Sequence, residues 1–160
     1  MTNPYFKADN TGRVKVLLAL AKHFEKTQYR IAFTPPYCKW DLEVIDENGE
    51  VIMYIEVKDR WNPSYQYKTA MLNIEKFDGA KDIADKWFYA CVYTDDKIIL
   101  WKPYAIPPEN IKRETKDIST STVENKPKIP QERLYLSFND ACSAFTNNVK
   151  IEFYDGTNKE

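Results

Sequence analysis

The chain has 160 residues, of which 43% are apolar and 14% aromatic, enough to bury the core of one folded domain. Its formal net charge of −1 excludes a general attraction to polyanions, so any nucleic-acid contact needs a local basic surface. The three cysteines are widely spaced without a Cys-x-x-Cys motif, and His23 is the only histidine. A disulfide framework, a zinc site and catalysis by paired imidazoles are therefore not expected.

The start of the chain lacks the apolar segment of a signal peptide, and no later stretch has the length needed to cross a bilayer. We therefore expect a soluble, cytoplasmic protein with reduced thiols and no membrane partner. The sequence does not fix the oligomeric state, and a homodimer is possible.

Residues 12–25 predict an amphipathic helix, because apolar residues recur there at three- and four-residue spacing and Asn10 or Thr11 can cap its start. The basic residues off this stripe predict a solvated face, with phosphate binding as the alternative. Residues 29–33 then predict a first strand, which ends at Thr34-Pro35-Pro36.

A hairpin follows, with strands at residues 40–46 and 51–58 joined by a turn at residues 47–50. Because strand side chains alternate between faces, the hairpin has one apolar and one charged face. On the charged face, Asp41 begins one strand while Glu56 and Lys58 end its antiparallel neighbour, so we expect the three to converge. Two carboxylates suit Mg²⁺ or Mn²⁺, and such a metal can still bind water and a phosphate oxygen. This pattern favours phosphodiester chemistry.

Asp41, fourteen intervening residues and then Glu56-Val57-Lys58 resemble the motif of the PD-(D/E)XK nucleases, the restriction-endonuclease-like superfamily. Trp40 stands where the motif has proline. The resemblance implies an α/β fold, a mixed central sheet flanked by helices with a core of α-β-β-β-α-β order. It also implies hydrolysis of phosphodiester bonds, with DNA favoured over RNA and a 5′-phosphate left on the product.

Within that resemblance, Asp41, Glu56 and the Val57 carbonyl are expected to hold Mg²⁺ or Mn²⁺, while Lys58 orients the attacking water and offsets charge in the transition state. Many members also place a lysine or glutamine from the next helix in the site, and Lys76 is the candidate here. The alternative for Lys76 is an exposed partner of Glu75 or Asp78.

That next helix is predicted over residues 64–86, capped by Ser64, with apolar residues facing the core and a bend at Asp78-Gly79. The core-facing residues are expected to be Ala70, Met71, Ile74 and Phe77. In the segment of residues 59–65 that follows the hairpin, the aromatic residues Trp61 and Tyr65 are expected either to stack on nucleic acid or to form a hydrophobic lid.

The remaining elements are a hairpin of strands at residues 87–93 and 97–101, then a strand at 134–138, a short helix at 139–145 and a last strand at 149–154. Residues 1–102 are thus expected to form the nuclease-like core. Residues 103–132, with little periodicity, are expected to form a long surface segment. Residues 133–160 are expected to form a C-terminal extension packing on the core.

We therefore predict a Mg²⁺-dependent nuclease that binds nucleic acid through a basic rim of Lys39, Arg60, Lys68 and Lys76. Two alternatives stay open. One is a non-catalytic nucleic-acid-binding or protein-interaction module that keeps the nuclease fold, and the other is an α/β domain whose charged hairpin face is merely solvated.

Overall fold

The structure, a computed structural model, describes residues 4–119, 128–146 and 151–152. Its elements are α1 (Pro4–His23), β1 (Arg30–Phe33), β2 (Leu42–Ile45), β3 (Val51–Asp59), β4 (Thr69–Asn73), α2 (Ile74–Gly79), β5 (Trp87–Val92), β6 (Lys97–Trp101), β7 (Lys112–Ser119), β8 (Lys128–Ser137), β9 (Ser143–Thr146) and β10 (Ile151–Glu152). Short 3₁₀ helices lie at Lys81–Lys86, Pro103–Ala105, Pro108–Asn110 and Phe138–Asp140. None of the helices described here is both long and apolar enough to span a membrane.

The strands form two sheets. Seven of them make a mixed sheet in the order β1-β2-β3-β5-β6-β9-β10, in which β3 and β5 run parallel and the other described pairs run antiparallel. The other three make an antiparallel sheet in the order β4-β8-β7. The parallel β3–β5 pair needs a crossover, which β4, α2 and a 3₁₀ helix supply.

Strand β5 lies at the centre of the molecule because both of its faces are buried. Its odd-numbered residues Trp87, Tyr89 and Cys91 pack with apolar residues of β4 and β8, whereas Ala90 and Val92 pack with apolar residues of α1. The larger sheet is therefore covered by α1 on one face and by the smaller sheet on the other. At about 25 cal/mol per Å² of apolar surface, such two-sided burial is the main source of stability.

The first helix and the strands of residues 29–58 confirm the sequence-based prediction, although α1 already begins at Pro4. The buried residues Val16, Ala19 and Leu20 form the face of α1 that packs on the larger sheet. The hairpin of residues 87–101 is also confirmed, as β5 pairs with β6.

The predicted helix over residues 64–86 is wrong. The chain instead forms β4, the six-residue α2 and a 3₁₀ helix. Ala70 and Leu72 are buried while Thr69, Met71 and Asn73 are half-buried, which is the alternation of a strand. The larger sheet is consequently covered by α1 on one face, and on the other by the smaller sheet together with the short α2 and the 3₁₀ helix that follows it.

The C-terminal third also differs from the prediction. Residues 112–119 and 128–137 form the antiparallel pair β7–β8 rather than an irregular segment. Strand β7 is rich in charged residues and carries no hydrophobic pattern, but β8 buries Leu134 and Leu136 and holds β7 through backbone hydrogen bonds. The predicted strand at 134–138 is confirmed within β8.

The helix predicted at residues 139–145 is wrong, because a 3₁₀ helix and β9 occupy those positions. Ser143 and Ala144 pair with β6 and are buried with Phe145 in the core, so sheet pairing outweighs helix propensity. Of the last predicted strand, residues 151–152 form β10, and residues 149–150 and 153–154 lie outside the described residues.

Gly12 allows α1 to approach the end of β3 closely. A Cβ atom at this position would lie 2.5 Å from Oδ2 of Asp59, closer than real Cβ contacts. The close atoms all belong to the Asp59 carboxylate, so Gly12→Ala should displace that side chain and destabilise the fold by about 1 kcal/mol, although alanine is normally the better helix former. Gly79→Ala is the matched control, since a Cβ there meets nothing within 4 Å. Urea unfolding measures both, and equal stabilities of the two variants would contradict the close approach.

Candidate functional site

The three residues of the charged hairpin face converge at one end of the β2–β3 pair. The Asp41 amide donates a hydrogen bond to the Ile55 carbonyl (2.9 Å), which places Asp41 immediately before β2 and next to the end of β3. Glu56 and Lys58 follow on β3. Asp41, Glu56 and Lys58 line one cavity of about 330 Å³, together with Arg13, Val57, Asp59, Arg60, Met71, Leu72, Asn73, Lys76 and Tyr89. We call this the first cavity.

Both oxygens of Asp41 have partners. Oδ1 lies 2.6 Å from Nη2 of Arg13, which projects from α1. Oδ2 accepts a hydrogen bond from the Val57 amide (2.7 Å), a backbone group on the side of β3 that β2 no longer covers. The Asp41 carboxylate thus accepts the hydrogen bond that a longer β2 would accept from the Val57 amide, and its two contacts hold it in one orientation.

The Val57 carbonyl points in the same direction as its amide. In an extended strand the N–H and C=O of one residue project to the same side, and those of neighbouring residues to opposite sides. Ile55, two residues earlier, indeed presents its carbonyl to Asp41 on this side. The Val57 carbonyl therefore points beyond the end of β2, beside the Asp41 carboxylate.

Glu56 is a buried carboxyl group, 8% exposed, on the face of β3 that the smaller sheet covers. Burial, and then the nearby Asp41 carboxylate, raise the pKa of Glu56 from an ordinary 4.5 to about 7, although Lys76 and Arg13 oppose the shift. Lys76 Nζ lies 3.1 Å from Oε1 of Glu56. The two carboxylates repel each other, and two basic side chains offset that repulsion only in part.

Asn73 fixes the position of Lys76. Its side-chain oxygen accepts a hydrogen bond from the Glu75 amide (2.8 Å), which caps α2 at its first turn. Lys76 then lies one turn into α2 and reaches over Glu56. The pairing with Glu75 or Asp78, considered as the alternative from the sequence, does not form within the described residues, because the ion pair of Lys76 is with Glu56.

Lys58 differs from the other basic residues of the first cavity. Its side chain is exposed, and it makes no ion pair with any residue that the structure describes. Lys58 lines the same cavity as Asp41 and Glu56.

Arg60 joins the larger sheet to the edge of the smaller one. Its Nη2 donates hydrogen bonds to the Met71 carbonyl and to the Tyr89 hydroxyl (2.9 Å), and that hydroxyl donates to the same carbonyl (3.0 Å). Burial, chiefly, raises the pKa of Tyr89, so the hydroxyl remains a donor. We call this arrangement the Arg60 clasp. It ties β4 to β3 and β5 behind the first cavity.

The four residues of the predicted basic rim do not all line the same cavity. Arg60 and Lys76 line the first cavity, and Lys76 and Lys39 line a smaller one of about 190 Å³. Lys68 is exposed in the segment before β4 and lines neither of these cavities.

Two residues of the site were not assigned to it from the sequence. Arg13 was placed on the predicted helix, but its reach to Asp41 depends on the close approach of α1 at Gly12. Tyr89 falls within the strand predicted at residues 87–93, and no local pattern distinguishes it from its neighbours. Its alignment with Glu56 across the parallel β3–β5 pair could have been found only from the strand order.

The donors that could hold a divalent cation are the Asp41 and Glu56 carboxylates and the Val57 carbonyl. Among the described residues, no group of three or more His, Cys, Asp or Glu side chains is suited to a metal ion. A cation at this site would therefore use two carboxylates, one carbonyl and water, which is the oxygen set that Mg²⁺ and Mn²⁺ accept. The raised pKa of Glu56 fits this use, because a cation would relieve the repulsion between the carboxylates.

Comparisons with known proteins leave the site to be interpreted from its own geometry. No protein-family model, curated protein or solved structure matches the chain.

The buried carboxyl group predicts a pH dependence of stability. The folded state favours protonated Glu56, so stability falls as the pH rises from about 4.5 to about 7. Without metal, Glu56→Gln should be more stable than the parent protein at pH 8, by up to about 3 kcal/mol, and the difference should shrink towards pH 4.5. Urea unfolding in EDTA at several pH values measures this difference.

Glu75→Gln is the control for this measurement, since Glu75 is exposed on α2 and its variant should follow the parent at every pH. A constant difference between Glu56→Gln and the parent across this pH range would contradict the assigned burial cost.

Proposed function

We propose that this chain is a metal-dependent nuclease that hydrolyses phosphodiester bonds, with DNA as the favoured substrate. The observation that supports it best is the convergence of Asp41, Glu56 and Lys58 on one cavity, with the Val57 carbonyl beside them and no ion pair of Lys58 to any residue that the structure describes. Two carboxylates can hold a Mg²⁺ ion that polarises a phosphate oxygen and activates water, and a lysine can offset the charge that develops on the phosphate. The likeness of Asp41 and Glu56-Val57-Lys58 to the PD-(D/E)XK motif points the same way.

In this mechanism Asp41, Glu56 and the Val57 carbonyl hold the cation. Bound Mg²⁺ or Mn²⁺ supplies Lewis-acid polarisation of the scissile phosphate and lowers the pKa of a water molecule. The Lys58 ammonium donates a hydrogen bond to the attacking water and offsets the negative charge that develops on the phosphate oxygens.

The basic residues around the carboxylates also attract a polyanion to a site that is otherwise acidic. Arg13 and Lys76 each neutralise one carboxylate when no metal is bound. With the carboxylates neutralised by a cation, Arg13 and Lys76 would be able to contact the phosphates that flank the scissile one. The same two residues thus serve the metal-free and the substrate-bound states.

A non-catalytic nucleic-acid-binding module is the second candidate function. The 2.6 Å Arg13–Asp41 ion pair favours it, because an arginine already satisfies one of the carboxylates. A nuclease cleaves its substrate, whereas a binding module does not. In a nuclease Arg13 competes with the metal ion for Asp41, whereas in a binding module it does not.

Lys58→Ala separates catalysis from metal binding. Removing the ammonium group should lower the rate of Mg²⁺-dependent cleavage of a labelled oligonucleotide by about a hundredfold or more, while Mn²⁺ binding stays within about twofold of the parent. Lys97→Ala is the control, because Lys97 is exposed at the start of β6 and lies outside the first cavity. Cleavage by Lys58→Ala at the parent rate would show that the assigned role is wrong.

Arg13→Met tests the metal site without any substrate. Removing a positive charge and a competing partner of Asp41 should tighten Mn²⁺ binding by about threefold to tenfold, a gain of about 0.7–1.4 kcal/mol. Free Mn²⁺ measured by electron paramagnetic resonance gives the affinity. Arg30→Met, on the exposed start of β1, should leave it unchanged. Weaker binding by Arg13→Met would contradict the competition and favour the metal-free module.

A further inference from the structure

A second cavity of about 330 Å³ adjoins the first, and Arg60 and Met71 line both. The second cavity is formed by the segment after β3, by β4 and by the exposed face of the β7–β8 pair. Its other lining residues are Asn62, Tyr67, Thr69, Ala70, Tyr93, Lys116, Arg133 and Tyr135. Its volume is at the lower end of the range for small-molecule sites, which is enough for one nucleotide.

The charge of the second cavity differs from that of the first. Arg60, Lys116 and Arg133 line it, and none of its lining residues is a carboxylate. Glu114 pairs with Lys116 from the same strand (3.4 Å), and Gln131 accepts a hydrogen bond from Nε of Arg133 (3.3 Å). Neither Glu114 nor Gln131 lines the cavity, so the cavity itself presents positive charge and attracts an anion.

Two polar atoms of the lining have no hydrogen-bond partner within the described residues. They are the Tyr93 hydroxyl and Nε of Arg60, both buried. Tyr93 as a whole is only 3% exposed. The Cys91 thiol lies close to both side chains and offers each of them a weak sulfur partner. Both atoms are closed off from solvent, so they lie behind the wall of the second cavity and not on its surface.

Aromatic side chains complete the second cavity. Tyr67 is 59% exposed, and Tyr135 is half-buried on β8. Trp61 and Tyr65, from the same segment as Tyr67, are 87% and 82% exposed. Exposed rings beside a basic cavity are the combination with which proteins bind single-stranded nucleic acid, because every base offers a face for stacking.

We propose that the second cavity binds one unpaired nucleotide next to the scissile phosphate, with its phosphate on Arg133 and Lys116 and its base against the tyrosines. This inference rests on the proposed function for the position of the scissile phosphate. A nucleotide inside such a cavity cannot stay stacked in a duplex, so the substrate is single-stranded DNA or an unpaired end of a duplex. Arg60, common to both cavities, separates the two successive phosphates.

The first test uses fluorescein-labelled hexathymidylate and a blunt-ended hairpin whose strands are joined by a polyethylene glycol linker, so that the hairpin has no unpaired nucleotide. Both are measured in Ca²⁺ to prevent turnover. Lys116→Met and Arg133→Met should each weaken binding of the hexamer at least fivefold and lower the slope of log K against log salt by about one. Neither variant should weaken binding of the hairpin by as much. The matched control is Arg113→Met, because Arg113 lies on β7 with its side chain on the opposite face from Lys116 and outside the second cavity.

The second test locates the contacted phosphate. A set of hexamers carries one neutral methylphosphonate linkage at each position in turn. At one position the neutral linkage should weaken binding by the parent protein, and that loss should disappear in Arg133→Met. Losses that remain unchanged in Arg133→Met, or equal weakening of hexamer and hairpin, would overturn the proposal.

Cleavage assays distinguish failure of this inference from failure of the proposed function. If Mg²⁺-dependent cleavage requires Lys58 but the Lys116 and Arg133 variants bind the hexamer like Arg113→Met, the nuclease proposal stands and the nucleotide subsite is refuted. If the variants weaken hexamer binding as expected and no cleavage occurs, the subsite stands and the chain is a binding module.

Discussion

Burial of β5 on both faces is the constraint on which the rest of the structure depends. An apolar strand in the middle of a sheet needs a cover on each side, and this chain supplies α1 for one face and the β4-β8-β7 sheet for the other. The neighbouring strand β3 is covered in the same way towards its end. Glu56 therefore lies under the smaller sheet, where its charge is poorly solvated, and the two cavities form where that sheet meets β3.

Electrostatics at the site follows from this covering. A carboxylate that is removed from water beside a second carboxylate is costly, and Arg13 and Lys76 come from separate layers of the fold to reduce that cost. The proposed function accounts for this arrangement, since a divalent cation would neutralise both carboxylates at once. The Arg60 clasp holds the layers together at the same place, so the shape of the site and its charge depend on one contact between the sheets.

The sequence predicted the hairpin and its charged face because period-two alternation and the turn at residues 47–50 are local features. The convergence of Asp41, Glu56 and Lys58 followed from that hairpin alone. Local pattern failed at residues 64–86, where five strand residues precede a short capped helix and the apolar positions fit both periods. The partners Arg13 and Tyr89 could not be found, because each reaches the site through packing between elements far apart in the chain. The second cavity depends in the same way on β7, whose charged side chains carry no periodic signal.

The edge of the larger sheet at β1 bears on how the protein behaves at high concentration. Within the part of the chain that the structure describes, β1 is an outermost strand, only four residues long, beginning with exposed Arg30. Pro35 and Pro36 follow shortly after it, and proline offers no amide for a further ladder. A short, charged edge that ends in prolines is a poor template for strand addition by a second molecule. The wide sheet is thereby protected from edge-to-edge aggregation on this side.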